Sequence, residues 1–210
     1  MGAGKGMERL SQAGVKERVG LPKPRTTGEM AVEEAIQRRR SVREFSGEAL
    51  GLAEVSQLLW SAQGVTSARG LRAAPSAGAR YPLEVYLVCA EGLFQYEPGE
   101  HALMKVGGED LREALAEAAL GQGFVAEAPV SLVFSAVYER TMQRYGERGI
   151  RYAHVDLGHA AENVHLQGEA MGLGSCAVGA LDDAAVGEVL GLSGQERPLY
   201  IIPVGRPRRG

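Results

Sequence analysis

Apolar positions recur along this chain with two periods, and the change of period marks its elements. Val32, Ala35 and Ile36, followed by Arg39, lie at helical spacing and predict a helix over 29–39, with Thr26 and Glu29 as a capping box. Val55, Leu58, Leu59 and Ala62 predict a second helix over 52–63 that stops at Gly64. A loop rich in Gly, Ser, Arg and Pro runs from Thr66 to Pro82. Residues 83–90 (LEVYLVCA) and 130–137 (VSLVFSAV) read as strands apolar enough to be buried. Leu93–Tyr96 and Ala102–Val106 flank Pro98-Gly99 as a hairpin. Helices are expected over 109–120, 151–171 and 182–190, the last capped by Asp182. Gly158, Ala161 and Gly168 would let a neighbour approach the long one closely. Strand 199–204 (LYIIPV) precedes a basic tail, GRPRRG. No internal repeat occurs, and the order is not a strict βαβ alternation, so the class is α+β.

Residues 1–28 lack clear periodicity and predict an irregular arm, mobile at its start, in which LPKPR (21–25) is extended and free to lie on another surface. Residues 29–210 then form a single domain. The composition is ordinary for a globular chain of 210 residues: 45% hydrophobic and 23% charged. A net charge of −3, without an aromatic platform, argues against a nucleic-acid partner. No apolar run is long enough to span a membrane, and the N-terminus lacks the apolar core of a secretory signal. Gly6 breaks both a myristoylation pattern and a P-loop reading of the first residues. The two cysteines, Cys89 and Cys176, show no metal or redox spacing, which fits a reducing cytoplasm.

Three segments carry candidate chemistry. RRRSVREF (38–45) gathers Arg38, Arg39, Arg40, Ser41 and Arg43 at a helix end. Guanidinium forks and a hydroxyl match phosphate oxygens, although taken alone the cluster reads equally as a solvated basic face. In RAAPSAGARYPLE (72–84), Pro75 and Pro82 fix the backbone at two points while Ser76, Ala77 and Gly78 expose it between them; a flat ligand or a plain connection both fit. In MGLGSCAVGAL (171–181) the glycines follow a helix rather than a strand, which excludes a dinucleotide fingerprint; the same objection removes Gly121, Gly123 and Ala126. Glu162 and His165 make one Glu-x-x-His without the second copy that a di-iron bundle needs, so no metal is expected. His154 and His159 read as ordinary helix histidines. No hydrolase or zincin motif is present.

Taken together and in order, LPKP…EEAIQRRRSVREF, LLWSAQGVT, RAAPSAGARYPLEVY, RYAHVDLGHAAENVHLQGEAMGLGS and PLYIIPVGRP resemble the FMN-dependent nitroreductase family over residues 21–207, most of all its SagB-type dehydrogenase branch, which oxidises azolines to azoles. The resemblance implies a nitroreductase-like α+β fold: a mixed, mostly antiparallel central sheet flanked by helices, in an interlocked homodimer with FMN at the interface. It implies phosphate and ribityl contacts from Arg39, Arg40, Ser41 and Arg43. Pro75, Ser76, Ala77 and Gly78 would line the flavin from the partner chain, Val178, Gly179 and Ala180 would reach its edge, and Arg206 or Arg208 would close on the phosphate.

The resemblance also implies ping-pong transfer of a hydride from NAD(P)H through FMN to an acceptor it does not name, or, in the SagB-like variant, oxidation of an organic substrate. Two departures stand out. Ala79 or Arg80 replaces an asparagine common in the family, and Gly179 stands where an acidic residue often lies. They raise a third alternative, a flavin-binding protein without turnover. No catalytic residue is assigned; Tyr81, Tyr152 and His159 are candidate proton donors with equally plain structural readings.

Overall fold

The period-2 pattern of the central strands puts apolar side chains on both faces of one sheet. A computed structural model describes residues 3–208. Along β2 (Leu83–Cys89), Leu83, Val85, Leu87 and Cys89 enter one core while Tyr86 and Val88 enter another. On β5 (Val130–Ala136), Leu132, Phe134 and Ala136 join the first core and Val133 the second. Strands buried on both faces need a helical layer on each.

The first layer holds α1 (Ala3–Gln12), α3 (Leu52–Gln63) and α7 (Arg148–Ala170), with α2 (Val32–Arg38) and α6 (Glu139–Tyr145) packed on α7. The second holds α4 (Arg112–Ala118), α5 (Phe124–Glu127) and α8 (Asp183–Leu190). Between them run β1 (Arg18–Gly20), β3 (Gly92–Glu97), β4 (Ala102–Gly107), β6 (Gly174–Ser175) and β7 (Arg197–Gly205) beside β2 and β5. The sheet order is β1-β4-β3-β2-β5-β7-β6, and every pair is antiparallel. The expected mixed character shrinks to one isolated parallel bridge, Ser41 to Ser175.

Several expectations need correction. The arm over 1–28 is not irregular: α1 buries Met7 and Leu10 in the first core and β1 pairs with β4. Its apolar positions are too few for a short window to register as a helix, and only tertiary burial makes them count. Met1 and Gly2, and Arg209 and Gly210 of the basic tail, lie outside the described residues. LPKPR is extended but lies on its own chain: the Arg25 N–H donates to Gln57 Oε1 at 2.8 Å and Ser56 Oγ donates to the Pro22 carbonyl at 2.6 Å. The first predicted helix begins at Val32, after Ala31, and the Thr26–Glu29 capping box does not form. Of its stripe only Ala35 is buried; Val32 and Ile36 stand 58% and 59% exposed. The long helix begins at Arg148, three residues early, and α6 before it was not expected. Asp182 caps α8 as predicted, its Oδ1 accepting from the Ala185 N–H at 2.9 Å.

Candidate functional site

Helix α2 ends at Arg38, and Arg39 turns the chain away with φ −48° and ψ 124°. The extended segment that follows docks on β6. The Val42 N–H donates to the Ser175 carbonyl at 2.9 Å. Gly174 allows this approach, because a Cβ there would come within 2.6 Å of Val42 Cβ.

The docking places Arg39 and Ser41 on the rim of a cavity of about 410 Å³. Its floor is one face of α7, where Leu157, Gly158, Ala161, Glu162 and His165 follow helical spacing. Ala177 and Tyr200 close the far wall, and His154 stands at one end. Residues 176–178 form that wall by bonding to β7: Val178 exchanges backbone hydrogen bonds with Ile201 at 2.9 and 3.0 Å.

His165 is the most buried ionisable group of the cavity, 8% exposed. Its Nδ1 lies 2.7 Å from Ser175 Oγ. Burial pushes the imidazole below its ordinary pKa; Glu162 opposes this and Arg39 adds to it. Arg39 supplies a guanidinium, Ser41 a hydroxyl, and the small side chains of Gly158, Ala161 and Ala177 leave room for a flat group. Among the described residues no cluster of three or more His, Cys, Asp or Glu is set to hold a metal. A larger cavity of about 610 Å³, between α8 and the start of β7, contains none of the predicted site residues.

The remaining predicted residues separate into two groups. Near the cavity, Gly179 packs under the Tyr200 ring, and the Ala180 carbonyl accepts from Gln122 Nε2 at 2.9 Å. Arg40 folds back onto the Gln37 and Arg39 carbonyls, and Arg43 lies over the Phe124 ring at 5.7 Å, so neither lines the cavity. The two C-terminal arginines meet carboxylates instead: Arg206 pairs with Glu48 at 2.9 Å and Glu54 at 3.0 Å, and Arg208 approaches Glu127 at 4.0 Å.

Pro75, Ser76, Ala77 and Gly78 are not part of this cavity. They form a partly exposed loop on the α6–α7 corner. Gly78 adopts φ +60°, and Ala79 and Tyr81 follow at +53° and +46°, a strained turn for residues with side chains. The Ala77 N–H donates to Asp156 Oδ1 at 3.3 Å, and the Tyr81 N–H donates to Ser76 Oγ at 2.9 Å. Asp156 is 3% exposed and its Oδ2 has no partner. Burial pushes its carboxyl above the usual range, with Ser76, Ala77 and His159 pulling the other way.

The three candidate proton donors also stand apart. Tyr81 lies under the Arg72 guanidinium, 4.6 Å from its ring, Tyr152 meets Tyr145 edge-on at 5.0 Å, and His159 faces solvent on α7. The cavity residues that the motifs did not assign to a ligand are His165, Glu162, Gly158 and Ala177: the first two read only as half of a metal motif and Gly158 only as a packing position. Gly158, Ala161, Glu162 and His165 fall at i, i+3, i+4 and i+7, and that spacing was the available signal.

A family model for the nitroreductase family matches residues 36–206. The chain belongs to the nitroreductase family. A protein of Methanocaldococcus jannaschii named as a nitroreductase is 44% identical over 184 residues, covering 85% of this chain and 92% of that one. The trifolitoxin-processing protein TfxB of Rhizobium leguminosarum bv. trifolii is 31% identical over 133 residues, 58% of this chain and 35% of that longer protein. Among solved structures, a protein of Ralstonia eutropha JMP134 named as a nitroreductase superposes with a TM-score of 0.84 at 33% identity, covering 94% of this chain and 93% of that one. The NADPH:FMN oxidoreductase of Vibrio harveyi, solved with NAD+, gives a TM-score of 0.65 at 24% identity over 85% of this chain and 69% of that one, a likeness of fold. As a nitroreductase-family protein the chain is an oxidoreductase with a nitroreductase-like α+β fold. No helix among the described residues is long and apolar enough to cross a membrane.

Proposed function

We propose that the protein is an FMN-dependent oxidoreductase that takes a hydride from NAD(P)H and, after the nicotinamide leaves, passes it to a small-molecule acceptor over the same cofactor. The single observation that carries this reading is the cavity of a nitroreductase-family chain bounded by Arg39, Ser41 and the small-residue face of α7. Its donor set suits FMN. Arg39 and Ser41 offer charge-assisted and hydroxyl hydrogen bonds to a phosphate, and Gly158, Ala161 and Ala177 leave a shallow wall for a ring system. Glu162 has the wrong sign for an anion, while Arg39 on the same cavity has the right one. FMN, when bound, supplies the hydride chemistry, and the protein supplies binding, orientation and electrostatics. Arg40, Arg43, Arg206 and Arg208 would have to leave their present partners to join the phosphate.

The reading extends to a homodimer in the cytoplasm. Pro75, Ser76, Ala77 and Gly78 do not line the cavity of their own chain, and Val32, Ile36 and Val155 leave apolar surface along α2 and α7 that a second copy would cover. The same loop from that copy would then line the flavin, against Val178, Gly179 and Ala180. Both cysteines are free and buried, in keeping with a reducing compartment.

The test is a visible spectrum of the purified protein with added FMN, followed by anaerobic mixing with NADH and with NADPH. Saturable FMN binding and bleaching within seconds support the reading; a chain that binds no FMN removes it. The likeness to TfxB favours one second reading, a SagB-like dehydrogenase that oxidises an azoline or related organic substrate. Bleaching by an azoline peptide and not by NAD(P)H would select it. Flavin bound but reduced by neither would select a non-catalytic flavin carrier.

A further inference from the structure

We propose that His165 is a protonation-dependent anchor for the cofactor's phosphate, taking up one proton from solvent when FMN binds and donating from Nε2 to the phosphate held by Arg39 and Ser41. The inference rests on the FMN reading above and assigns a role to a residue outside the arginine–serine motif.

The geometry points to it in three ways. His165 borders the same cavity as Arg39 and Ser41. Its Nδ1 is committed to Ser175 Oγ at 2.7 Å, and Ser175 is the residue whose carbonyl holds Val42, so ring and Ser41 share one mount. Nε2 makes no hydrogen bond with the described residues and is not among the buried unpartnered atoms, so the ring's small exposed part is free for a ligand. A neutral imidazole bonded at one nitrogen leaves its other nitrogen for a ligand.

The surrounding charges define the switch. From α7, Glu162 lies one turn away and favours the charged ring; Arg39, from the end of α2, disfavours it. His154 on α7 and Tyr200 on β7 complete the ionisable lining. Without ligand, burial and Arg39 outweigh Glu162 and the ring is neutral. A phosphate within hydrogen-bonding reach reverses that balance, so its pKa rises on binding. Linkage then makes FMN bind more tightly as the pH falls from the bound-state pKa towards the free-state pKa.

The test titrates the full-length chain with FMN and with riboflavin, by flavin fluorescence, from pH 5.5 to 8.5. The wild type should lose affinity for FMN as pH rises, by at most about tenfold per unit because one proton is linked. Riboflavin, which lacks the phosphate, should show no such slope. H165Q keeps a neutral donor and should bind FMN with only the opposite, shallower slope of the phosphate's own second ionisation, near pH 6. In the wild type, NMR titration of the His165 ring should show its pKa rising when FMN is added and staying put with riboflavin; this arm needs no variant. Equal slopes for wild type and H165Q, or an unmoved ring pKa at saturating FMN, overturn the proposal while leaving the FMN reading intact. No FMN binding at any pH removes both.

Discussion

Asp156, in the middle of α7, accepts the Ala77 N–H at its Oδ1 across 3.3 Å, with its second oxygen unpartnered in the core. One buried carboxylate thus ties the proline-serine loop to the helix that floors the cavity. Its ionised form is costly where it sits, because burial exceeds the help from Ser76 and Ala77.

Since burial raises the Asp156 pKa in the fold, its contribution to stability is complete below the unfolded value and is lost as pH rises through the folded one. D156N keeps an acceptor and removes the charge. Thermal melts from pH 4 to 7 should therefore decline more for the wild type than for D156N. D156A frees the Ala77 N–H and should cost about 1 kcal/mol at pH 4. Parallel melting curves for wild type and D156N would show that no proton is linked to folding at this site.

Arg39 is the one arginine of its cluster that lines the cavity. A hydrogen bond to a charged group contributes about 1.5–3 kcal/mol, so R39A should weaken FMN binding by roughly 10- to 100-fold. Riboflavin affinity and the melting temperature should change little. Equal losses for both flavins would mean that Arg39 holds something other than the phosphate.

His101 locks the hairpin onto α3 and the arm. Nε2 lies 3.0 Å from the Pro22 carbonyl and 2.8 Å from Ser56 Oγ, and Nδ1 lies 2.8 Å from the Tyr96 hydroxyl. The Ser56 hydroxyl donates to the Pro22 carbonyl, so the one Nε2–H is shared between Ser56 Oγ and that carbonyl, which leaves Nδ1 to accept from Tyr96 in one neutral tautomer. Burial lowers the His101 pKa in the fold. Its stabilisation is present above the unfolded value and is lost as pH falls through the folded one. Unfolding by urea should become easier below about pH 6.5, and H101N should flatten that dependence. An identical acid slope in H101N would assign the loss elsewhere.

Lys105 is buried on β4, and its Nζ donates to the Leu10 carbonyl at 3.0 Å, at the C-terminal turn of α1. The ammonium satisfies an end carbonyl that the helix itself cannot pair, and its positive charge suits that pole. K105M should cost about 1–3 kcal/mol through the orphaned carbonyl. Limited proteolysis should then cut between Gln12 and Val15 sooner than in the wild type. Unchanged stability and unchanged cleavage would show that α1 docks by its apolar face alone.

The chain's own pattern made most elements legible. The bounds of α3 match the pattern in full, because an unbroken apolar face ends at a glycine; β2 and β5 each end one residue before the expected bound, and they are legible because most of their seven residues are apolar. Residues 3–20 were not legible. Met7, Leu10 and Val19 are too sparse to signal α1 or β1, and they acquire meaning only where Leu50, Leu103 and their neighbours wait to cover them. The stripe of α2 misled for the opposite reason: Val32 and Ile36 are spaced for burial, yet within one chain nothing packs over them.

For the site, residue types and their order were enough to mark the Arg39–Arg43 segment, the proline-serine loop and the glycine segment as belonging to one kind of protein. That information is local, since a short motif carries its own donors and backbone freedom. Only the tertiary structure decided which of these residues meet. The bridge from Ser41 to Ser175 joins segments 134 positions apart and brings Arg39 over α7, while the same helix turns Asp156 towards the proline-serine loop and His165 towards the cavity. Side chains nine positions apart on a helix point 900° round its axis, half a turn from each other, so one helix serves two sites that the linear order could not separate.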